Sequence, residues 1–255
     1  MKTFEQYADF YDAYYANKNY DEEINYILSL AKQHSVSNPK TILDIGCGTG
    51  GHLLPFCKKN IKTDGFDLSE RMIAFAKQKI EKAKIENFVK VEQGDATTYR
   101  NGKKYDMVVS MFAVMGYLTT NENFFAGLKT ARAHLNKDGL FIFDVWFGPA
   151  VLHNLPETRI QEFELNGEKI VRLVRSTMNI MEHFVEVEYD IFSGNDKHYE
   201  QKVKESHRMR YFFVQELKYF LENAGFAMLS VFPFLKINVH PTLNDWNISV
   251  VAKAI

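Results

Sequence analysis

A glycine-rich turn at residues 46–51 is the part of the sequence with the clearest chemical meaning. A short apolar strand, residues 42–45, leads directly into it. Gly46, Gly48 and Gly50 alternate, so the backbone can turn sharply and approach a ligand without an intervening Cβ. The helix predicted after the turn would direct its free N–H groups at whatever the turn holds. The stretch therefore predicts a nucleotide-cofactor site.

Two classes of nucleotide cofactor fit this turn. Gly46, Gly48 and Gly51 also have the spacing of the dinucleotide fingerprint. However, Asp44 stands just before the first glycine, where a carboxylate suits a cofactor with an ammonium group and would repel a pyrophosphate. Asp95 follows the third predicted strand, where a carboxylate can accept a hydrogen bond from an adenine amino group. An NAD-dependent oxidoreductase is the alternative that these two carboxylates disfavour.

Three segments, in order and with the right spacing, resemble the class I S-adenosyl-L-methionine (SAM) methyltransferases: Asp44-Ile-Gly-Cys-Gly-Thr-Gly, Gly65-Phe-Asp67-Leu-Ser and Gly94-Asp95-Ala96. The resemblance implies an α/β fold with a Rossmann-like, seven-stranded, mostly parallel sheet. It also implies SAM as the cofactor and S-adenosyl-L-homocysteine (SAH) as the product. Methyl transfer from SAM requires no metal, and we expect none.

The resemblance also implies which residues contact the cofactor. The backbone of Gly46 and Gly48 would line the methionine moiety, and Asp44 would reach its ammonium group directly or through water. Asp67 would bind the ribose hydroxyls, while Asp95 and the N–H of Ala96 would bind the adenine edge. The remaining residues expected on the cofactor side are Tyr11, Cys47, Leu68, Met72, Met111 and Phe112.

Composition narrows the class of protein. The 255 residues suffice for one α/β domain with an insertion, and a hydrophobic content of 46% is typical of a globular protein. A formal net charge of −1 gives no bulk attraction to nucleic acid. The two cysteines, Cys47 and Cys57, form neither a metal pattern nor a disulfide framework. Because there is no signal-peptide pattern and no apolar run of membrane-spanning length, we expect a soluble, cytoplasmic protein without membrane association.

Hydrophobic periodicity predicts alternating strands and helices from residue 41 onward, which is typical of a parallel, doubly wound sheet. The predicted strands are 41–46, 62–66, 87–93, 105–111 and 139–145, and the predicted helices are 51–60, 69–84 and 121–136. Residues 159–212 show period-2 alternation with turns at Asn166-Gly167 and Ser193–Asp196, which indicates three or four antiparallel strands. A helix at 214–224 and strands at 226–235 and 247–254 complete the prediction.

We therefore predict one methyltransferase domain, residues 1–255, made of four parts. These are a helical N-terminal lid (1–40), a SAM-binding core (41–145), an antiparallel substrate-side insertion (146–212), and a C-terminal helix and strands (213–255). Tyr7, Tyr11 and Tyr15 share one face of the first helix. They either pack this helix on the domain or cover the cofactor, whose sulfonium attracts aromatic faces.

The insertion narrows the resemblance to the SAM-dependent N-methyltransferases of deoxy-amino-sugar biosynthesis, which dimethylate a nucleotide-linked sugar amine. The residues that carry this similarity are 11–15, 111–118 and 205–212. The chain departs from that subfamily in two places. Tyr117 stands where the subfamily has a histidine, and the loop Lys236–Trp246 is longer and lacks a glycine-rich sugar-side segment. Both departures concern the acceptor, so the resemblance predicts the cofactor more firmly than the acceptor.

Six residues are candidates for the acceptor side. By the resemblance, Tyr15 orients the acceptor, and Tyr117 is an orienting hydrogen-bond partner, because a phenol with an ordinary pKa of about 10 is a poor base. His207 is either a satisfied core histidine or the best remaining general base. The candidates for binding the substrate are Trp146, by stacking, and Arg208 and Arg210, by pairing with a diphosphate.

The leading hypothesis is a methyltransferase that acts on a small molecule, a nucleotide-linked amino sugar. The alternatives are an O- or N-methyltransferase of another metabolite and a SAM- or SAH-binding protein without catalysis. A nucleic-acid methyltransferase is disfavoured, because the fourth strand ends in Ser110-Met-Phe-Ala and not in the loop used for base amino methylation. The sequence leaves open whether the chain is a monomer or a homodimer.

Overall fold

The described residues contain eleven strands, and five of these form a parallel core. The computed structural model describes residues 7–36, 38–165, 167–195 and 198–255. The strands are β1 (Thr41–Ile45), β2 (Lys62–Asp67), β3 (Val89–Gln93), β4 (Tyr105–Ser110), β5 (Leu135–Phe147), β6 (Arg159–Leu165), β7 (Glu168–Asn179), β8 (Phe184–Asn195), β9 (His198–Phe212), β10 (Phe226–Pro233) and β11 (Asn247–Ala254). The first five are parallel to one another in the order β3-β2-β1-β4-β5.

The described part of the chain also contains seven α-helices, of which the first two precede β1: α1 (Ala8–Tyr14), α2 (Tyr20–Gln33), α3 (Leu53–Lys58), α4 (Glu70–Ala83), α5 (Asn121–Ala133), α6 (Gly148–His153) and α7 (Val214–Ala224). A 3-10 helix, Val114–Tyr117, follows β4. Side chains of Asn19, Ser69 and Thr120 cap α2, α4 and α5 by accepting a bond from a first-turn N–H. The longest helices have 14 residues, and none in the described chain qualifies as a membrane span.

The predicted α/β fold is confirmed. Beyond β5, the sheet continues with β11 and β10, which are antiparallel to their neighbours, so the core contains seven strands in the order β3-β2-β1-β4-β5-β11-β10. Buried apolar side chains cover both faces of the central strands, as expected for a sheet between two layers of helices. The carboxyl ends of parallel strands meet at one edge of such a sheet, and ligands bind there.

The insertion is an antiparallel sheet of four strands, β6 to β9, which agrees with the upper predicted number. It is continuous with the core, since Trp146 and Phe147 at the end of β5 pair with Tyr211 and Phe212 of β9. This junction brings the insertion to the ligand-binding edge of the core. Of the two predicted turns, Asn166 and Asp196 lie outside the described residues.

Some element boundaries differ from the prediction. Strand β5 begins at Leu135 and not at 139, and it passes through the predicted turn with Asp138 at a φ of 65°. Helix α3 is shorter than predicted, because the glycine turn extends to residue 52 before the helix starts. The predicted N-terminal lid includes residues 1–6, which lie outside the described chain. The four-part division into lid, core, insertion and C-terminal elements stays a prediction where function is concerned.

Arg210 joins β9 to two helices of the core. Its guanidinium donates to Asn121 Oδ1 at 2.8 Å and pairs with Glu216, at the starts of α5 and α7. The side chain is only 7% exposed and lies 5.0 Å from the ring of Phe212. The predicted role of Arg210 in binding a substrate diphosphate is therefore corrected, because its donors already hold the structure together.

Arg208 lies one step earlier on the same face of β9, but it is exposed. Its guanidinium stands 3.6 Å from Glu186 Oε2 and over the ring of Phe184. Neither of these neighbours belongs to the cavity described below. Arg208 does not line that cavity, and its predicted substrate role stays a prediction.

These two arginines give a matched pair of variants. We expect Arg210→Ala to lower the free energy of unfolding by about 3 kcal/mol, because it leaves the largely buried Glu216 carboxylate without its partner. Arg208→Ala should cost less than about 1 kcal/mol, since its ion pair is exposed. Guanidinium chloride unfolding would measure both. The double variant Arg210→Met, Glu216→Met should recover most of the loss, and a loss that persists would contradict the ion-pair explanation.

Candidate active site

A cavity of about 520 Å³ lies at the carboxyl edge of the parallel strands. Its walls come from the loops after β1 to β4, from the N-terminal residues around α1, and from β8 and β9 of the insertion. Fifteen of the residues predicted for the site line it: Tyr11, Tyr15, Gly46, Cys47, Gly48, Asp67, Leu68, Met72, Asp95, Ala96, Met111, Phe112, Tyr117, Trp146 and His207. The other three, Asp44, Arg208 and Arg210, do not.

The glycine turn forms the floor of one half of the cavity. Gly46 and Gly48 have φ values of 73° and 54°, a region that side chains disfavour. A Cβ on Gly46 would also approach Val114 Cγ1 to 2.4 Å. The N–H groups of Gly46 and Cys47 donate to the carbonyl of Phe66 at 2.8 and 3.0 Å, which fastens the turn to the end of β2.

Two carboxylates stand at the ends of the neighbouring strands. Asp67 Oδ2 accepts from the N–H of Gly48 and Oδ1 from that of Ser69, both at 2.9 Å. Burial raises the pKa of Asp67, while these hydrogen bonds act against the rise. Asp95 Oδ1 accepts from the N–H and the hydroxyl of Thr97, each at 2.7 Å. Both carboxylates are thus held in fixed orientations on the cavity wall.

Asp44 lies beneath the glycine turn rather than on the cavity wall. Only 1% of it is exposed, and its Oδ2 has no hydrogen-bond partner among the described residues. Burial, with a smaller contribution from Asp67, raises the pKa of Asp44 to about 8. A buried carboxylate without a partner costs stability when it is ionised. A cationic group of a ligand nearby, in contact or through water, would offset that cost.

A strained turn after β4 separates the two halves of the cavity. Phe112 and Ala113 have φ values of 72° and 56°, which residues other than glycine rarely adopt. Both oxygens of Asp144, on β5, accept from the N–H of Ala113 at 3.0 and 3.1 Å and hold the turn. Burial raises the pKa of Asp144 to about 6. Asp144 was not predicted from the sequence.

Lys18 and His52 are further wall residues that the sequence did not suggest. Both contact Glu23 of α2, with Lys18 Nζ at 2.8 Å from Oε1 and His52 Nε2 at 2.7 Å from Oε2. The Lys18 ammonium also stands 3.9 Å from the centre of the Phe112 ring. Burial lowers the pKa of His52, although Glu23 opposes this. Lys18 is the only lysine or arginine among the described residues of the wall.

Aromatic rings cover the cavity above the turn. The rings of Tyr11 and Tyr15 lie 4.7 Å apart, and Tyr15 and Phe112 lie 4.9 Å apart at nearly a right angle. Burial raises the pKa of Tyr15 to about 12. Helix α1, which precedes Tyr15, is held to the core, since Asp12 pairs with Lys79 and accepts from Thr49 at 2.7 Å.

The other half of the cavity contains a hydrogen-bonded chain of three side chains. The hydroxyl of Tyr117 lies 2.9 Å from His207 Nδ1, and His207 Nε2 lies 3.2 Å from Glu205 Oε2. His207 and Glu205 are buried, and the alternation of β9 puts them on the same face. Glu205 was not predicted, although its position two residues before His207 would have been a usable signal.

Asp44 generates a prediction with a defined sign in pH. Its folded pKa of about 8 lies above the unfolded value of about 3.9, so its ionisation destabilises the ligand-free fold as pH rises through this range. If a ligand ammonium stabilises the ionised form, SAH should bind about tenfold more tightly at pH 8 than at pH 6.5. Titration calorimetry would measure this dependence.

Asp44→Asn should remove the pH dependence and weaken SAH binding at pH 8 by about tenfold. The control is Asp106→Asn, at the opposite edge of the sheet, where the carboxylate accepts from the N–H groups of Lys40 and Thr41. This variant should bind SAH like the unaltered protein. An Asp44→Asn variant that retains the affinity and its pH dependence would disprove the assigned role.

Comparison with known proteins shows which family the core resembles. Residues 42–139 match the family described as a methyltransferase domain. A dTDP-3-amino-3,4,6-trideoxy-α-D-glucopyranose N,N-dimethyltransferase of Streptomyces venezuelae is 34% identical over 145 residues, and the match spans 56% of this chain and 58% of that relative. A dTDP-3-amino-3,6-dideoxy-α-D-glucopyranose N,N-dimethyltransferase of Streptomyces fradiae is 26% identical over 230 residues, 87% of this chain and 84% of the relative.

Among solved structures, an S-adenosylmethionine-dependent methyltransferase from Clostridium acetobutylicum superposes with a TM-score of 0.80, with 18% identity and 99% of both chains covered. The resemblance inferred from the sequence motifs is confirmed by these findings, and so is the predicted class of fold. Residues 42–139 therefore match a methyltransferase domain, and the chain has the fold of the class I SAM-dependent methyltransferases.

Proposed function

We propose that this protein transfers a methyl group from SAM to the amine of a nucleotide-linked amino sugar. The observation that carries the proposal is the single cavity that joins the glycine turn to the insertion. One half has the glycines and carboxylates of a nucleotide cofactor site, and the other is walled by aromatic side chains and His207. The two dimethyltransferase relatives, whose names specify dTDP-linked amino sugars, support the choice of acceptor.

The residues of the first half fit SAM. The buried Asp44 Oδ2, which has no hydrogen-bond partner among the described residues, would match the ammonium of the methionine moiety, and the space at the Cβ position of Gly48 is open. Asp67 and Asp95 would hold the ribose hydroxyls and the adenine amino group. Lys18, on the same wall, has the charge to attract the methionine carboxylate.

SAM, when bound, supplies a methyl group on a positively charged sulfur that an acceptor nitrogen can displace in line. The chain contributes orientation, an effect worth roughly 7–11 kcal/mol in well-aligned reactions. Tyr11, Tyr15 and Phe112 present aromatic rings next to the turn, where their faces attract positive charge. The turn at Phe112 and Ala113 keeps these rings between the cofactor half and the acceptor half.

In the acceptor half, Tyr15, Tyr117 and Trp146 would orient the sugar. Arg208 and Arg210 are engaged outside the cavity, and Lys18 is assigned to the methionine carboxylate. We therefore propose that the sugar enters the cavity while the diphosphate stays at its mouth. The same scarcity of cationic wall residues favours a second candidate, an N-methyltransferase of a small amine that carries no phosphate.

A binding protein without catalysis is the alternative from a different class. It would need a cofactor half only, whereas this cavity continues into a polar acceptor half with a buried histidine. The proposed reactants are soluble metabolites, so the proposal puts the protein in the cytoplasm. The proposed reaction requires neither nucleic acid nor a membrane as a partner, and it is compatible with a monomer or a homodimer.

The experiment has two arms on the whole chain. In the first, the melting temperature of the SAH-saturated protein is measured with nucleoside diphosphates and their amino sugars. A ligand at about 100 times its dissociation constant adds about 2.7 kcal/mol of stability, which the scan resolves. In the second, SAM and each amine are incubated with the protein, and the products are analysed by mass spectrometry.

We expect stabilisation by dTDP-linked amino sugars and their methylation at nitrogen. Methylation of phosphate-free amines alone would replace the first candidate by the second. Stabilisation by SAH without any methylated product across the panel would contradict both candidates and favour the binding protein.

Tyr15 and Tyr14 offer a matched test of the acceptor half. Tyr15 lines the cavity, whereas the neighbouring Tyr14 donates its hydroxyl to Gln161 of the insertion at 2.6 Å. We expect Tyr15→Phe to lower kcat at least tenfold and to leave SAH affinity within a few fold, because only the hydroxyl that orients the acceptor is lost. Tyr14→Phe should retain turnover. Equal effects of the two variants would return Tyr15 to a packing role.

A further inference from the structure

We propose that Tyr117, His207 and Glu205 form a proton-accepting chain that converts a protonated amine acceptor into the neutral amine before methylation. This inference rests on the proposed function only in requiring that the acceptor is an amine. It assigns one role to three side chains from two separate elements. Tyr117 ends the 3-10 helix after β4, whereas His207 and Glu205 belong to β9 of the insertion.

The hydrogen bonds define the tautomer that this role needs. His207 Nδ1, 2.9 Å from the Tyr117 hydroxyl, accepts the phenolic proton when Nε2 carries the ring hydrogen. Nε2–H then donates to Glu205 Oε2 at 3.2 Å. The N–H of Tyr7 donates to the other oxygen of Glu205 at 3.0 Å, which fixes the carboxylate. This is the hydroxyl–imidazole–carboxylate order that activates nucleophiles in hydrolases, here directed at a different proton.

Charged and aromatic side chains surround the His207 ring. Glu205 is buried beside it, and the rings of Tyr7 and Tyr189 flank it at 5.8 and 4.8 Å. Arg172, the nearby cation, lies behind both phenols, at 5.6 Å from the ring of Tyr7 and 4.6 Å from that of Tyr189. Tyr117 contacts the imidazole from the 3-10 helix.

Tyr117 transfers a proton to His207 and does not become a stable tyrosinate. Burial raises the pKa of Tyr117 well above its usual value, and nearby phenols add to the rise. A free tyrosinate is therefore unfavourable, and the phenol acts as a base only if its own proton leaves at the same time. His207 Nδ1 is in position to take it.

The proton balance is complete within these groups. An acceptor N–H bond breaks and its proton goes to the Tyr117 oxygen, while the Tyr117 O–H bond breaks and that proton goes to His207 Nδ1. The resulting imidazolium is paired with the Glu205 carboxylate, and the acceptor nitrogen keeps a free electron pair for the methyl group. Tyr117 is a catalytic residue in this step, His207 receives the proton, and Glu205 is a positioning residue.

Variants of the whole protein, assayed with a defined acceptor, test the roles of Tyr117, His207 and Glu205. The probe is dTDP-3-amino-3,6-dideoxy-α-D-glucopyranose with SAM, and kcat is measured from pH 6.5 to 9.5. At pH 7, Tyr117→Phe and His207→Gln should each lose about 100-fold in kcat, the lower end of general-base contributions. Glu205→Gln, which keeps an acceptor but removes the charge, should lose about tenfold in kcat with little change in KM.

The pH profile separates this role from a structural one. Near pH 9.5 more of the acceptor is already neutral, so the deficit of Tyr117→Phe and His207→Gln should shrink to a few fold. Arg208→Gln, on the opposite face of the same strand, is the matched control and should follow the unaltered protein. SAH affinity should stay within a few fold in every variant. A loss that is constant across pH, or no loss, would overturn the proposal.

A spectroscopic readout separates this inference from the proposed function. Nitrogen-15 NMR of the SAH-bound protein reports which nitrogen of His207 carries the hydrogen. We expect hydrogen on Nε2 and a hydrogen-bonded Nδ1 whose signal shifts in Tyr117→Phe. Hydrogen on Nδ1 overturns the chain even if the enzyme methylates the probe. If the probe is not methylated at all, the proposed acceptor fails, and the NMR result alone decides for or against the chain.

Discussion

The bond from the N–H of Ala113 to the buried carboxylate of Asp144 is the interaction on which the site depends. Two consecutive residues after β4 have positive φ, a conformation that costs free energy at each and persists only where the surroundings enforce it. Asp144 enforces it from the neighbouring strand with both oxygens. The turn sets the position of the Phe112 ring and the direction of the 3-10 helix that ends in Tyr117. The same turn therefore positions residues in both the cofactor half and the acceptor half of the cavity.

Backbone hydrogen bonds also orient the carboxylates of the site. Asp67 and Asp144 each accept backbone N–H groups, so their orientation is set by the main chain before any ligand arrives. Asp44 is the exception, because its buried Oδ2 has no hydrogen-bond partner in the described part of the chain. Proteins tolerate such a cost mainly where a ligand offsets it. The carboxylates with backbone hydrogen bonds therefore have a structural role in the site, whereas Asp44 is the carboxylate suited to bind a positively charged ligand group.

Local patterns predicted the parts of the molecule that local sequence determines. The glycine turn, the carboxylates after β2 and β3 and the four antiparallel strands all follow from spacing, because turns and alternation are properties of neighbouring residues. From the sequence, Arg210 was assigned to the substrate because residue spacing does not reveal how β9 packs against α7. That packing is what pairs Arg210 with Glu216. Asp144 was missed for the same reason, since an aspartate inside a strand has no local signature of the distant turn it holds.

Helix α1 is attached to the rest of the protein by two unlike kinds of contact. Toward the core, it relies on the pairs Asp9–Arg71 and Asp12–Lys79, whose side chains are a third to a half exposed. Toward the insertion, the guanidinium of the buried Arg172 stacks 3.8 Å from the ring of Tyr14. Dissolved ions screen the first kind strongly and the second weakly. Rising ionic strength therefore weakens the attachment of α1 to the core before its attachment to the insertion.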